Sequence, residues 1–360
     1  MLYCTSIGLD VHARSVKAAA LIHDTGEVIE ASFAYDPDAI IKWVKKLPGP
    51  AKCIYESGPT GFDLLRKLRA SKIHCVIGAT SKMFRPSGDK IRNDPRSAVF
   101  LARMLAVGNI VEIYVPSEED EAARDLARAR EDARQELVNA KQRLSKFLLR
   151  KGILYDEGKS AWTKTHRKWL NQIKLLTDVE QLVLSEYLMT VEEAERKRDR
   201  LDAKIAELAR SERWKGLVQI FCLLRGISVM TAFTIASEIG DFSRFKNAGS
   251  FYSFLGLVPS LTESGESSSR GSITKTGNTH VRKLLIEAAW HHKRRFRPAA
   301  QKFPEDIAPE IVQAAKKANL RLHDRSKHFS TRKLLPNKAN TAIAREMAGF
   351  IWALADMALA

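Results

Sequence analysis

Residues 6–34, SIGLDVHARSVKAAALIHDTGEVIEASFA, decide the fold of the N-terminal third. Three apolar runs, SIGLDVH, VKAAALIH and EVIEASFA, are separated by short polar turns, which is the pattern of a strand meander. Within the first run one residue is out of character. Asp10 places a carboxylate in an otherwise apolar strand, and burying it is costly unless something compensates.

Beyond the meander, DAIIKWVKKL has helical periodicity, KCIYES reads as a strand and GFDLLRKLRA as a helix. HCVIGA is then a strand and SAVFLARMLA a helix. Three strands followed by strand–helix alternation predict a mixed sheet between helices over residues 1–116, a ribonuclease-H-like layout. The character changes over 117–214. Leu126, Ala133, Leu137, Ala140, Leu144 and Phe147 follow a heptad seam, with Ser117 as cap and acids in the first turn. A second helix near 179–213 carries Leu182, Leu201, Ile205 and Leu208. The pair predicts an antiparallel helical hairpin or a coiled-coil dimer arm, or else a spacer packed on its own chain. Residues 215–360 read as mostly helical, and LLRGISVMTAFTIASEIGD reads as helix, tight glycine turn, helix.

The chain has 59 Lys and Arg against 42 Asp and Glu, a net charge of +17, which favours a polyanionic partner such as nucleic acid. Cys4, Cys53, Cys75 and Cys222 are scattered without ligand spacing, so neither a zinc site nor a disulfide framework is expected, and a reduced cytosolic setting fits. The N-terminus does not read as a signal peptide and no run is long enough to span a membrane.

Glu56 ends a second apolar strand in IYESGPTG, and Asp94 opens a helix in KIRNDPRSA, with Pro95 suited to its first turn. Taken singly, Asp10 can end a strand, Glu56 can pair with a lysine and Asp94 can be only a cap. If the two strands are neighbours, the three acids converge, and such a group makes sense around Mg²⁺, which prefers hard oxygen ligands. Paired ions of this kind serve phosphoryl transfer.

IGLDVH, YESGPTG and RNDPRSAVFLARML resemble, in order, the acidic motifs of the IS110 (DEDD) transposases, or bridge recombinases. FLGLVPSLTESGESSSRGSITKTGNTHVRKLLIEAAW is similar to the C-terminal domain of that family, and so is KANTAIAREMAGFIWA. The resemblance implies a RuvC-like domain holding Mg²⁺ through Asp10, Glu56 and Asp94. It departs at Ser97, where the family has a second aspartate one helical turn after the first.

The segment from Thr262 to Lys283 is rich in Ser and Gly and reads as a loop inside a domain, because apolar segments flank it. Composition does not choose among its serines. The resemblance does: its Ser-Gly motif falls on ESG and implies Ser264 as a nucleophile forming a covalent phosphoserine link to DNA. Gly265 would allow close approach of a phosphate, and Arg270, Lys275, Arg282 and Lys283 suit neutralisation of the backbone. RGIS, Arg225 to Ser228, has helix-hairpin-helix character and can equally be a plain helical corner. The resemblance further implies a structured noncoding guide RNA, donor and target DNA as partners, a dimer assembling to a tetramer, and a cytoplasmic, nucleoid-associated protein of a bacterium or archaeon. Two rivals remain open at this point: a metal-dependent junction resolvase or nuclease in which water attacks, and an impaired nucleic-acid-binding homologue.

Overall fold

In the computed structural model the described residues are 3–79, 94–158, 160–264, 267–294, 304 and 306–359; at 94, 95, 262–264, 267 and 268 the description is of backbone alone. The chain divides into two compact units, Met1–Pro116 and Ser117–Ala360.

In the first unit β1 (Thr5–Val11), β2 (Ser15–Ile22) and β3 (Val28–Ala34) form the meander, followed by α1 (Pro37–Val44), β4 (Ala51–Glu56), α2 (Asp63–Ala70), β5 (His74–Gly78) and α3 (Asp94–Ala106). The sheet order is β3-β2-β1-β4-β5: the meander pairs are antiparallel, while β1–β4 and β4–β5 are parallel. Strand alternation divides the side chains between two layers. Ile7, Leu9, Cys53 and Tyr55 pack with Ile40, Leu64 and Leu68 of α1 and α2. Ile54 and Val76 face the other way, onto Leu101 and Leu105 of α3.

The second unit begins with α4 (Glu118–Arg150), capped by Ser117, whose side chain accepts from Asp120 N. α5 (Lys164–Gln172) and α6 (Asp178–Leu208) follow. α4 and α6 form an antiparallel hairpin: Arg130 pairs with Asp202, Glu136 with Lys197 and Lys141 with Glu195, so one numbering rises as the other falls. Leu137, Ala140, Leu144 and Phe147 of the expected seam are buried against Leu184 and Val191. Leu182 is a correction to the sequence reading: it is exposed on α6, and Leu184 takes the buried position. One residue step turns a helix by about 100°, so an error of two residues moves a side chain to the opposite face.

The ends of this hairpin nearest its neighbours in sequence enter the C-terminal core. Ala123, Ala127, Ile205 and Ala209 pack with Phe221, Phe233, Leu285, Leu322, Met347 and Ile351. That core is built by α7 (Glu212–Cys222), α8 (Val229–Ile239), α9 (Ala248–Phe254), α10 (Thr279–Ala289), α11 (Pro309–Thr331) and α12 (Pro336–Leu359). The helical region 117–214 and the region 215–360 thus share one compact unit. The serine segment, read as a loop, is an antiparallel pair, β6 (Pro259–Ser264) and β7 (Ser267–Ile273). No helix among the described residues is long and apolar enough to cross a membrane.

Candidate active site

Parallel pairing brings two of the expected acids together. The β1–β4 register runs from Thr5 opposite Ala51 to Leu9 opposite Tyr55, so Asp10 and Glu56 are the next step on adjoining strands. Both point to the side opposite Leu9 and Tyr55, which is the side that Ile54 presents to α3. Two carboxylates therefore share one face at the C-terminal edge of the parallel strands. His12 joins them, with Nε2 3.5 Å from Asp10 Oδ1.

A glycine places the helix that Asp94 opens. A Cβ at Gly8 would stand 2.0 Å from the Ala98 carbonyl oxygen and 2.6 Å from the Ala102 nitrogen, so α3 lies with its backbone against β1. Two residues earlier, Ser6 shares a cavity with Leu105 and Ala106 at the other end of α3. The helix thus runs antiparallel to β1. Two strand residues advance about 7 Å and a helix covers that in between four and five residues. The first turn of α3, residues 94–97, therefore lies toward the edge that holds Asp10. Ser97 is half-buried there, and the Asp94 side chain lies outside the described residues. Neither Gly8 nor His12 stood out in the sequence; a glycine inside a strand is the signal of close backbone approach that could have marked the first.

The donor set matches a hard divalent cation in kind, since both described acids offer carboxylate oxygen. Among the described residues no group of three or more His, Cys, Asp or Glu could hold a metal ion.

The second unit carries the other candidates. Ser264 ends β6, opposite Ser267 in the register. Its side chain, like Gly265 as a whole, lies outside the described residues. The base of this hairpin is clamped. A Cβ at Gly277 (φ 72°) would stand 1.8 Å from the Phe254 carbonyl oxygen, so the segment leading to α10 lies directly on α9. Arg282, expected at a phosphate, is instead buried and donates Nη1 to the carbonyls of Leu255 and Thr276, each at 2.8 Å. Asn278 caps α10 through the Val281 N–H and donates Nδ2 to Glu238 Oε2 at 2.8 Å. The Glu238 side chain is fully buried and also accepts from Arg128 at 2.7 and 3.1 Å.

Arg270 and Lys275 are exposed; Lys275 holds φ 57° and its N–H donates to Gly256 O. Lys283 is half-exposed, with Nζ 2.6 Å from Glu131 Oε1. Arg225 lies in the α7–α8 turn and donates Nη1 to Arg294 O at 2.7 Å. Burial distinguishes Arg282 from the other four cations, a distinction that residue type alone does not reveal.

Residues 7–152 match the DEDD transposase family of the IS110 group, and residues 218–305 match the family described as Transposase IS116/IS110/IS902. The transposase for insertion sequence element IS1533 of Leptospira borgpetersenii is 32% identical over 337 residues, covering 91% of this chain and 97% of that one. The chain belongs to the IS110 family of insertion-sequence transposases. The Sinorhizobium fredii protein y4qE is 35% identical to this transposase over 357 residues, 97% of this chain and 88% of its own. The transposase for element IS1328 of Yersinia enterocolitica is 25% identical over 246 residues, covering 67% and 70%. Family membership makes DNA the substrate, with cutting and rejoining of strands as the activity, and divalent metal ions are typical of the group. Both family matches include residues discussed above: the first spans Asp10, Glu56, Asp94 and Ser97, and the second spans Ser264.

Proposed function

We propose that this transposase cuts and rejoins DNA through Ser264, with Mg²⁺ held by Asp10, Glu56 and Asp94 and with Ser97 at the edge of that site. The carrying observation is the convergence of Asp10 and Glu56 on the α3 face of neighbouring parallel strands. When bound, the metal would supply Lewis-acid activation and stabilise charge on phosphate oxygens. Ser264 Oγ attacks a backbone phosphorus, its proton is lost to the solvent or a base, and one P–O bond to the departing strand breaks as the phosphoserine bond forms. Reversal with a different strand end rejoins DNA. The clamped base of the β6–β7 hairpin holds the nucleophile's strand in one orientation, which lowers the entropic cost of attack. Arg270, exposed on β7 of that hairpin, and Lys275, exposed just after it, neutralise the DNA backbone. Recognition is delegated to a structured guide RNA that pairs with donor and target DNA, and a dimer that assembles to a tetramer brings the strands together.

The test is to mix the protein, RNA co-purified with it, element-end DNA and Mg²⁺, and to look for a covalent adduct under denaturing conditions. The adduct is expected to map to the Ser264 peptide and to vanish in Ser264→Ala while nucleic-acid binding persists. An adduct that survives the substitution rejects the assignment. DNA cleavage without any adduct favours the hydrolytic alternative, in which water attacks.

Ser97 generates a further prediction. A hydroxyl is a weaker ligand for Mg²⁺ than a carboxylate, whose charge supplies much of the attraction. Ser97→Asp is expected to lower the Mg²⁺ concentration needed for strand transfer, or to raise the rate at limiting Mg²⁺. An unchanged titration curve would show that position 97 is not a ligand position.

A further inference from the structure

Between α4, α8 and α10 lies a cavity of about 210 Å³, apart from the acid edge and the serine hairpin, with Lys283 in its lining. We propose that it captures a single unstacked nucleobase from a nucleic-acid strand, an inference that rests on the reading of this chain as a nucleic-acid enzyme. Its size suits one ring system. Pockets for drug-sized ligands run to about 300–1,000 Å³, and a dry cavity of about 150 Å³ already holds benzene. A whole nucleotide would therefore leave its sugar and phosphate outside.

The lining is divided in the same way as a nucleotide. Ala127, Met230 and Leu284 supply apolar walls, and a methionine sulfur is a soft, polarisable neighbour for a ring face. Thr231 and His280 add polar groups that can meet a base edge. Of the three cations in the lining, Arg130 is 23% exposed and paired with Asp202, and the other two stand further toward solvent. The side chains of Arg128 and Lys283 are 45% and 48% exposed, and each is oriented by a carboxylate, Glu238 and Glu131 respectively. Glu131, the carboxylate of the lining, is itself bonded by Arg134 at 2.7 and 2.8 Å as well as by Lys283. A base inside and a phosphate at the rim would satisfy both halves of this lining, which a purely apolar or a purely anionic ligand would not.

The proposal is tested with short single-stranded DNA and RNA oligonucleotides carrying 2-aminopurine, whose fluorescence rises when the base leaves its stacked neighbours. A terminal dye reports binding by anisotropy in the same samples. Saturating wild-type protein is expected to raise the fluorescence several-fold, and the oligonucleotide that responds, DNA, RNA or both, identifies the source of the base. Thr231→Trp and Met230→Trp fill the cavity and are expected to remove the rise while weakening binding by about tenfold or less, the loss of one buried base. A measurement on the unmodified protein does not depend on how the variants fold: photocrosslinking from 4-thiothymidine or 4-thiouridine at the same position is expected to label the peptides of Met230 or Leu284. Binding without a fluorescence rise, a rise that survives both substitutions in folded protein, or crosslinks that map elsewhere would each overturn the proposal. Failure of the wild-type protein to bind any oligonucleotide would instead overturn the functional reading beneath it.

Discussion

Gly8→Ala is expected to abolish strand transfer and to destabilise the first unit by about 3 kcal/mol or more, at or above the usual range for overpacking. The added methyl would meet the Ala98 carbonyl oxygen at 2.0 Å, the Ala102 nitrogen at 2.6 Å and Leu101 Cβ at 2.9 Å. Two of these three are backbone atoms, so no rotamer change relieves them. α3 has to retreat from β1, and Ala98, Leu101 and Ala102, all fully buried now, lose their contacts together. The same retreat moves the turn holding Ser97 away from Asp10 and Glu56. Urea denaturation and a strand-transfer assay measure the two effects. Gly216→Ala is the matched contrast. Gly216 lies inside α7, where an added methyl would have nothing within 4 Å, so the change is expected to stabilise by up to about 1 kcal/mol through helix propensity. Equal behaviour of the two variants would mean that α3 does not rest on β1 at Gly8.

Glu238→Ala is expected to cost about 1–3 kcal/mol, because Asn278 and the largely buried Arg124 lose their partner while the half-exposed Arg128 can turn to solvent. The carboxylate is fully buried and accepts from Arg128 and Asn278, with Arg124 Nε 3.7 Å away. Loss of the Asn278 bond also loosens the segment that seats the serine hairpin, so adduct formation should fall along with stability. The pH dependence has a definite sign. Burial alone would raise the Glu238 pKa, but hydrogen bonds from Arg128 and Asn278 and the charges of Arg128 and Arg124 carry it below the usual carboxylate range. A depressed folded pKa gives stability that is complete above the unfolded carboxylate value and is lost as pH falls through the folded one. Thermal melts across that acid range are expected to show a shallower decline for Glu238→Gln than for the wild type. Identical acid limbs would show that Glu238 does not contribute to the acid sensitivity.

Much of the first unit was legible in the sequence because its strands carry period-two apolar runs, and Asp10 and Glu56 interrupt those runs. Their adjacency was conditional, since parallel pairing joins residues some 46 apart and no local pattern states which strands are neighbours. Gly8 stayed hidden for the same reason: its role depends on a helix nearly a hundred residues away. The serine segment misled through composition. Ser and Gly signal flexibility, whereas backbone pairing of Pro259–Ser264 with Ser267–Ile273 supplies order that side-chain propensity does not. Arg282 shows a similar limit, because a cation's surroundings, and not its type, decide whether it faces phosphate or carbonyl. The heptad seam of α4 was readable, while the more irregular apolar pattern of α6 left the position of its buried face ambiguous at Leu182.

The placement of α3 also sets an order of events during synthesis. The β1–β2–β3 meander is local and can pair as soon as residue 34 is available, and β4 then aligns Asp10 with Glu56. Among the described residues made up to that point none packs with Ile54 and Val76 on the face these acids share, which α3 covers from Asp94 to Ala106. Up to that moment Ile54 and Val76 are uncovered, and apolar surface of this sort exposes a nascent chain to aggregation. A product truncated before residue 94 would keep both acid-bearing strands yet lack α3. The helix that covers this face is translated after every strand of its sheet, which ties cover of the acid edge to completion of the fold.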